Sequence, residues 1–120
     1  MAKLTFREAG ENDCALLLYF IKELAAYEKM SDEAVVTEEL LKEWVFDKKK
    51  AEAFFICEDG REVGFALFFH NFSTFVGRAG IYLEDLYILP EYRHKGYGRA
   101  ALKRLAPKAQ GDRLLRQDLR

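Results

Sequence analysis

Residues 81–100 (IYLEDLYILPEYRHKGYGRA) hold the strongest constraint in the chain. The run up to Leu89 is rich in aromatic and branched side chains with enough alternation for a strand. Pro90 has no N–H to give to a ladder, so the strand is expected to stop there. Gly96 and Gly98 follow within a basic segment that also carries Arg93, His94, Lys95 and Arg99. Glycine permits positive φ and lets a ligand come close to the backbone. A helix starting near Tyr97 would leave its first amide N–H groups unpaired, with a dipole that favours an anion. The chemistry expected here is phosphate or diphosphate binding at a strand-to-helix turn.

Two rival readings of the glycines weaken on inspection. Gly96, Gly98 and Ala101 also fit the loose dinucleotide pattern G-x-G-x-x-A, which alone is weak. That reading needs a strand running straight into the first glycine, and a second strand ending in an acid about 20 residues later. Here residues 90–95 intervene, and the downstream segment shows no strand pattern. No Gly-Lys-Ser/Thr is present, which excludes a P-loop. The remaining alternative is a tight turn with no ligand.

Arg93-x-x-Gly96-x-Gly98 after a strand resembles the acetyl-CoA signature of the GCN5-related N-acetyltransferases (GNAT). Residues 82–85 (YLED), residues 90–93 (PEYR) and residues 24–30 (LAAYEKM) are similar to the diamine (spermidine/spermine-type) and thialysine branch of that family. The likeness runs from about Lys3 to Ala106. It implies an acyl-CoA N-acyltransferase fold: α/β, with a mixed, mostly antiparallel sheet and flanking helices. It also implies transfer of acetyl from acetyl-CoA to a primary amine of a small molecule, namely a diamine, a polyamine or a lysine analogue.

Composition and order agree with one ordinary domain. The 120 residues suffice for a single modest core. A net charge of −1 gives no basic footprint for nucleic acid. No apolar run is long enough for a membrane span, and the start lacks the apolar core of a signal peptide. The expected location is cytoplasmic. Cys14 and Cys57 lack metal spacing and read as buried hydrophobes; His70 and His94 are too isolated for a metal site.

A short strand at Leu4 and Phe6 comes first, then a cap near Asp13 and a helix over residues 13–29 with Leu17, Leu18, Ile21 and Leu24 at helical spacing. Thr37 can cap a second helix carrying Leu40, Leu41, Trp44 and Val45 on one side. Strands are predicted over residues 53–58 and 62–72, joined by the hairpin dipeptide Asp59-Gly60, and over residues 81–89. Residues 71–80 read as an aromatic loop or second turn. Pro107 and residues 110–112 break the third helix, and residues 113–120 show no strand pattern. The domain is therefore read as residues 1–106, the N-terminal and central part of the fold. Residues 107–120 form a truncated or divergent tail, so the fold is expected to be incomplete at its C-terminal end. The outer edge of residues 81–89 would then be open to self-association.

The resemblance assigns site residues. It places the general base at Glu84; the alternative is that Glu84 only attracts the amine's charge. An ammonium must lose a proton before it attacks a thioester, and a carboxylate can take it directly or through water. Glu84 and Asp85, adjacent on a strand, are expected to face opposite sides and not to form a pair. Backbone groups of Leu86, Tyr87 and Ile88 would pair with the pantetheine arm as a strand does. The diphosphate would meet the amides of His94, Lys95, Gly96, Tyr97, Gly98 and Arg99, with Arg93 and Arg99 adding charge. Tyr27, Glu28, Phe75, Glu84 and Asp85 would shape the amine site, and Ser73, where polyamine enzymes tend to carry an acid, favours a smaller amine. The thiolate-protonating tyrosine expected after the next strand has no counterpart, because Tyr82, Tyr87, Tyr92 and Tyr97 sit in other elements. A homodimer is expected, and no metal. The competing function is a catalytically impaired, truncated module that binds CoA or self-associates.

Overall fold

A computed structural model describes residues 2–75 and 77–105, and the backbone of residues 114–116. Strand β1 (Leu4–Glu8) leads into helix α1 (Cys14–Tyr27). Helix α2 (Glu38–Leu41) continues as a π-helical stretch, Lys42–Asp47. Strands β2 (Glu52–Glu58), β3 (Arg61–Ser73) and β4 (Arg78–Ile88) follow. A 3-10 turn at Pro90–Tyr92 then leads to helix α3 (Tyr97–Leu105), and strand β5 spans Leu114–Arg116. The sheet runs β1-β2-β3-β4-β5, antiparallel throughout except for the parallel β4–β5 pair. This is the mixed, mostly antiparallel α/β architecture expected.

Local chemistry explains most of the boundaries. Asp59 and Gly60 both take positive φ (51° and 82°), as a two-residue hairpin with native twist requires. Thr37 Oγ1 accepts from the Leu40 N–H at 3.1 Å and caps α2. β2 is covered on both faces, so residues 53–57 are buried without a break. Ala53, Phe55 and Cys57 meet α1 and α2, with Leu17, Phe20, Leu24, Leu41, Val45, Phe65 and Tyr87. Phe54 and Ile56 face the other layer, where Ile81, Leu83, Leu86 and Ile88 pack on Tyr97, Ala101 and Leu105 of α3. Cys14 and Cys57 are buried free thiols whose pKa values are raised by burial.

Four details narrow the sequence reading or depart from it. Of the two readings of residues 71–80, loop or second hairpin turn, the structure has the hairpin turn, and it is short because the β3–β4 strands reach Ser73 and Arg78. Cross-strand partners such as Phe69 and Tyr82, stacked at 5.0 Å, extend the ladder past the polar residues. In the second helix only Leu41 and Val45 are buried; Leu40 and Trp44 are exposed. The wider π turn rotates the apolar face, and Lys48 Nζ covers the Trp44 ring at 4.0 Å. The third detail is β5, in a segment read as having no strand. Two adjacent leucines between arginines carry no alternation; the exposed ladder of β4 at residues 81–83 supplies the order instead. Residues 81–83 are therefore not an open edge. Pro107 and the break at residues 110–112 lie outside the described residues.

The fourth detail is a β-bulge. Leu67 pairs with Asp85 and Phe68 with Leu83, leaving Glu84 opposite no residue of β3. The inward positions on the α3 side are therefore 81 and 83 before the bulge, and 86 and 88 after it. β3 and β4 approach closely at Gly64, where a Cβ would lie 2.4 Å from the Tyr87 carbonyl oxygen. Gly64→Ala is expected to cost about 1–3 kcal/mol through forced separation of the two strands. Urea unfolding of the variant beside the wild type measures this.

Candidate active site and cofactor turn

The bulge decides where two carboxylates go. On a regular strand Glu84 and Asp85 would point to opposite faces. Here both line one cleft of about 280 Å³ against Ile21, Leu24 and Ala25 of α1, Glu28 at its C-cap, and Met30, Glu33 and Ala34 beyond it. The expectation that they could not pair is corrected: two residues oppose one across a bulge, so the alternation of sides is interrupted. Lys22 Nζ donates to the Ala34 carbonyl and holds the far wall to α1. Glu84 is exposed, whereas Asp85 is half-buried opposite the apolar Leu67. Burial first, and then the neighbouring Glu84 charge, push the Asp85 carboxyl up to about 6.

Beyond the bulge the backbone is available. β5 pairs with residues 81–83, and among the described residues no strand lies beside residues 84–88 on that side. In an antiparallel ladder alternate residues turn their N–H and C=O to either side, so part of this stretch presents unused donors and acceptors. An extended chain lying there can take them as an added strand would. Leu86, Tyr87 and Ile88 put their side chains into the core, so only their backbone is on offer.

The turn after β4 leads through Pro90–Tyr92 into α3. His94 (φ 66°) and Gly96 (φ 81°) are in the left-handed region, and a Cβ on Gly96 would find open space. Among the described residues, no backbone partner exists for the amides of residues 94–99. Gly98 is informative as well. A Cβ there would make ordinary contacts, 3.9 Å to Ile88 Cδ1 and Leu86 Cδ2, so packing does not demand glycine.

The cations divide in a way the sequence did not show. Arg93 turns back: Nε donates to the Ile88 carbonyl at 2.7 Å, and the guanidinium lies 4.3 Å from the Tyr27 ring and 5.2 Å from Tyr87. Its Nη2 is buried without a partner among the described residues. Lys95 Nζ donates at 2.8 Å to Glu58 Oε1, which also accepts from the Tyr97 hydroxyl. Both donors, Lys95 first, hold the Glu58 carboxyl below its usual range. Arg99 and His94 stay exposed at the mouth.

Of the residues singled out for the amine, Glu28, Glu84 and Asp85 share the cleft. Tyr27 does not line it but stacks on Arg93. Phe75 is 98% exposed at the hairpin tip, away from the cleft lining. Ser73 accepts the Gly77 N–H through its carbonyl, a turn contact. Sequence reasoning missed Glu58, because a carboxylate at a hairpin end carries no motif; its role depends on a contact across 37 residues.

The profile of the acetyltransferase (GNAT) family matches residues 18–117. The chain belongs to the GNAT acetyltransferase family. A thialysine N-epsilon-acetyltransferase from Sus scrofa is 39% identical, over 88% of this chain and 67% of that protein. A human spermidine/spermine N(1)-acetyltransferase-like protein 1 is 34% identical, over 83% of this chain and 15% of that one. The fold matches a predicted acetyltransferase from Clostridium acetobutylicum solved with acetyl-CoA, at TM-score 0.76 and 18% identity, over 98% of this chain and 80% of the other. As a GNAT member this chain is an N-acetyltransferase whose acetyl donor is acetyl-CoA. The open edge of β4, the free amides and Gly98 fit that donor. No described helix is long and apolar enough to cross a membrane.

Two measurements test this arrangement. Because the folded Asp85 carboxyl titrates above an unfolded aspartate, it favours folding most below about pH 4, and that contribution is lost as pH rises through about 6. Asp85→Asn should remove this decline and raise the chemical denaturation midpoint at pH 7. Glu58→Gln should release Lys95 and Tyr97 and loosen the turn. The expected result is a rise of about fivefold in KM for acetyl-CoA with kcat nearly unchanged, read from steady-state kinetics.

Proposed function

We propose that the chain acetylates the primary amine of a small cationic molecule, a diamine, polyamine or lysine analogue, with a lysine analogue of the thialysine type favoured. One observation carries this reading. Glu28, Glu33, Glu84 and Asp85 line a single cleft at the bulge, in a chain whose net charge is only −1. Four carboxyl groups around one small volume repel one another unless a cation joins them. The thialysine enzymes among the relatives support the lysine analogue over longer polyamines.

The site residues take these roles. The Glu84–Asp85 pair handles the amine proton, with Glu84 in the general-base position of the family, and Glu28 completes the anionic wall. Tyr27 acts through Arg93, shaping the end of α1. Phe75 on the hairpin arm serves the amine pocket of a second copy in a homodimer; the exposure of Phe72 and Phe75, 65% and 98%, supports such a contact. Backbone groups of Leu86, Tyr87 and Ile88 hold the pantetheine arm. The amides of residues 94–99 hold the diphosphate, Arg99 faces it, and Arg93 and Lys95 brace the turn. We place the protein in the cytoplasm. Residues 1–106 form the N-terminal and central part of the domain. Residues 107–120 are a tail whose sequence diverges while its backbone supplies β5.

Calorimetric titration with acetyl-CoA tests the donor site. Gly98→Glu should weaken binding by more than about tenfold, since a carboxylate would enter an anion site whose packing otherwise tolerates a side chain. Glu84→Gln should bind acetyl-CoA as the wild type does.

A further inference from the structure

Arg93 heads the basic segment, yet its side chain turns back toward α1 and β4 instead of following the chain into the glycine turn. We propose that Arg93 is a positioning residue for the amine cleft. It clamps the turn that closes α1, which carries Glu28 and Met30 into the cleft wall, against the end of β4, and it does so through the ring of Tyr27. This deepens the reading of the cleft as the amine site and rests on it.

The turn that closes α1 is the part that needs holding. The Lys29 N–H donates to the Ala26 carbonyl at 3.1 Å and the Met30 N–H to the Ala25 carbonyl at 2.8 Å, with Lys29 at φ 58°. This is a Schellman closure, in which glycine normally takes the left-handed position. A lysine there carries a steric cost that glycine avoids, so the closed turn gains from a tie outside it. Glu28 and Met30, with Glu33 and Ala34 just beyond, form the wall opposite Glu84 and Asp85. An outward movement of this turn opens the cleft on that side.

Arg93 supplies the tie. Its Nε donates to the carbonyl of Ile88, the last residue of β4, at 2.7 Å. Its guanidinium carbon lies 4.3 Å from the ring centroid of Tyr27, the last residue of α1, and 5.2 Å from that of Tyr87. The two rings are 6.1 Å apart, edge to face, so the cation completes a cluster of three. A positive charge at this end of a helix is also favoured by the helix dipole. The same geometry keeps the guanidinium from an anion in the following turn. Nε is taken by Ile88, and Nη2 is buried without a partner among the described residues. An atom closed off from solvent reaches a diphosphate only if the cluster comes apart. Lysine could not do this work, because an ammonium has no planar face to lay on a ring while a second nitrogen serves a carbonyl.

The test compares Arg93→Met, Arg93→Lys, Tyr27→Ala, Tyr27→Phe and the double variant of Arg93→Met with Tyr27→Ala. Steady-state kinetics with S-(2-aminoethyl)cysteine give kcat and the amine KM, calorimetry gives the acetyl-CoA Kd, and hydrogen exchange follows the Lys29 and Met30 amides. Arg93→Met and Tyr27→Ala should each raise the amine KM about tenfold, while kcat and the acetyl-CoA Kd change by less than about threefold. Both should speed exchange at Lys29 and Met30. The double variant should be no worse than the worse single one, because the two residues act through one contact. Tyr27→Phe keeps the ring and should match the wild type, whereas Arg93→Lys should fall with Arg93→Met. The assignment is overturned if Arg93→Met weakens acetyl-CoA binding more than it raises the amine KM, if the single effects multiply in the double variant, or if Tyr27→Phe loses as much as Tyr27→Ala. Should Arg93→Met fail to fold, the two Tyr27 variants decide alone. Absence of wild-type turnover with this amine and with diamines refutes the proposed function instead. Exchange then judges the clamp: faster exchange at Lys29 and Met30 in Arg93→Met and Tyr27→Ala supports it, and unchanged protection overturns it.

Discussion

A single unmatched residue on β4 governs the site. Glu84 has no partner on β3, so the strand's inward and outward faces exchange at that point. Before the bulge Ile81 and Leu83 pack under α3; after it Leu86 and Ile88 do so, and Tyr87 reaches the α1 layer. Were the ladder regular, position 85 would follow 81 and 83 into the α3 core, and an aspartate there would be buried among hydrocarbon without compensation. The extra residue delivers both acids to the α1 side and keeps both core layers filled with apolar side chains.

The same place is where the sheet stops pairing. β5 joins β4 over three residues, and the next stretch of β4 has no strand beside it among the described residues. Unsatisfied backbone groups are costly when buried and invite pairing when exposed. In a transferase this edge is useful, because a coenzyme arm of amide groups can fill it without reading side chains. The open edge, the bulge and the amides of residues 94–99, which have no backbone partner among the described residues, follow one another along β4 and the turn after it.

The supports of that stretch are made by contacts distant in sequence. Arg93 belongs to the signature that suggested a phosphate site, yet its guanidinium is packed on Tyr27 and Tyr87 and its Nε is bound to the Ile88 carbonyl. It ties the end of α1 to the end of β4. Lys95 is likewise held by Glu58 from the β2–β3 hairpin. Two of the four basic groups around the glycines therefore brace the loop. A positive charge in a motif is visible in a sequence; the direction of its side chain is not.

Much of the architecture could be read from residue order alone. Asp59-Gly60 required a tight hairpin, because both positions accept positive φ. Thr37 marked a helix start, and Pro90 with Gly96 and Gly98 marked the end of a strand and a glycine-bearing turn into a helix. These are local rules, obeyed within a few residues. Tertiary structure decided what depends on partners: the bulge at Glu84, which arises from the register of β3 against β4; the pairing of Leu114–Arg116, imposed by the edge of β4; and the raised Asp85 carboxyl, produced by burial and a neighbouring charge. Period-two alternation sends neighbours to opposite faces only while the ladder stays in register, and register is a property of two strands, not of one.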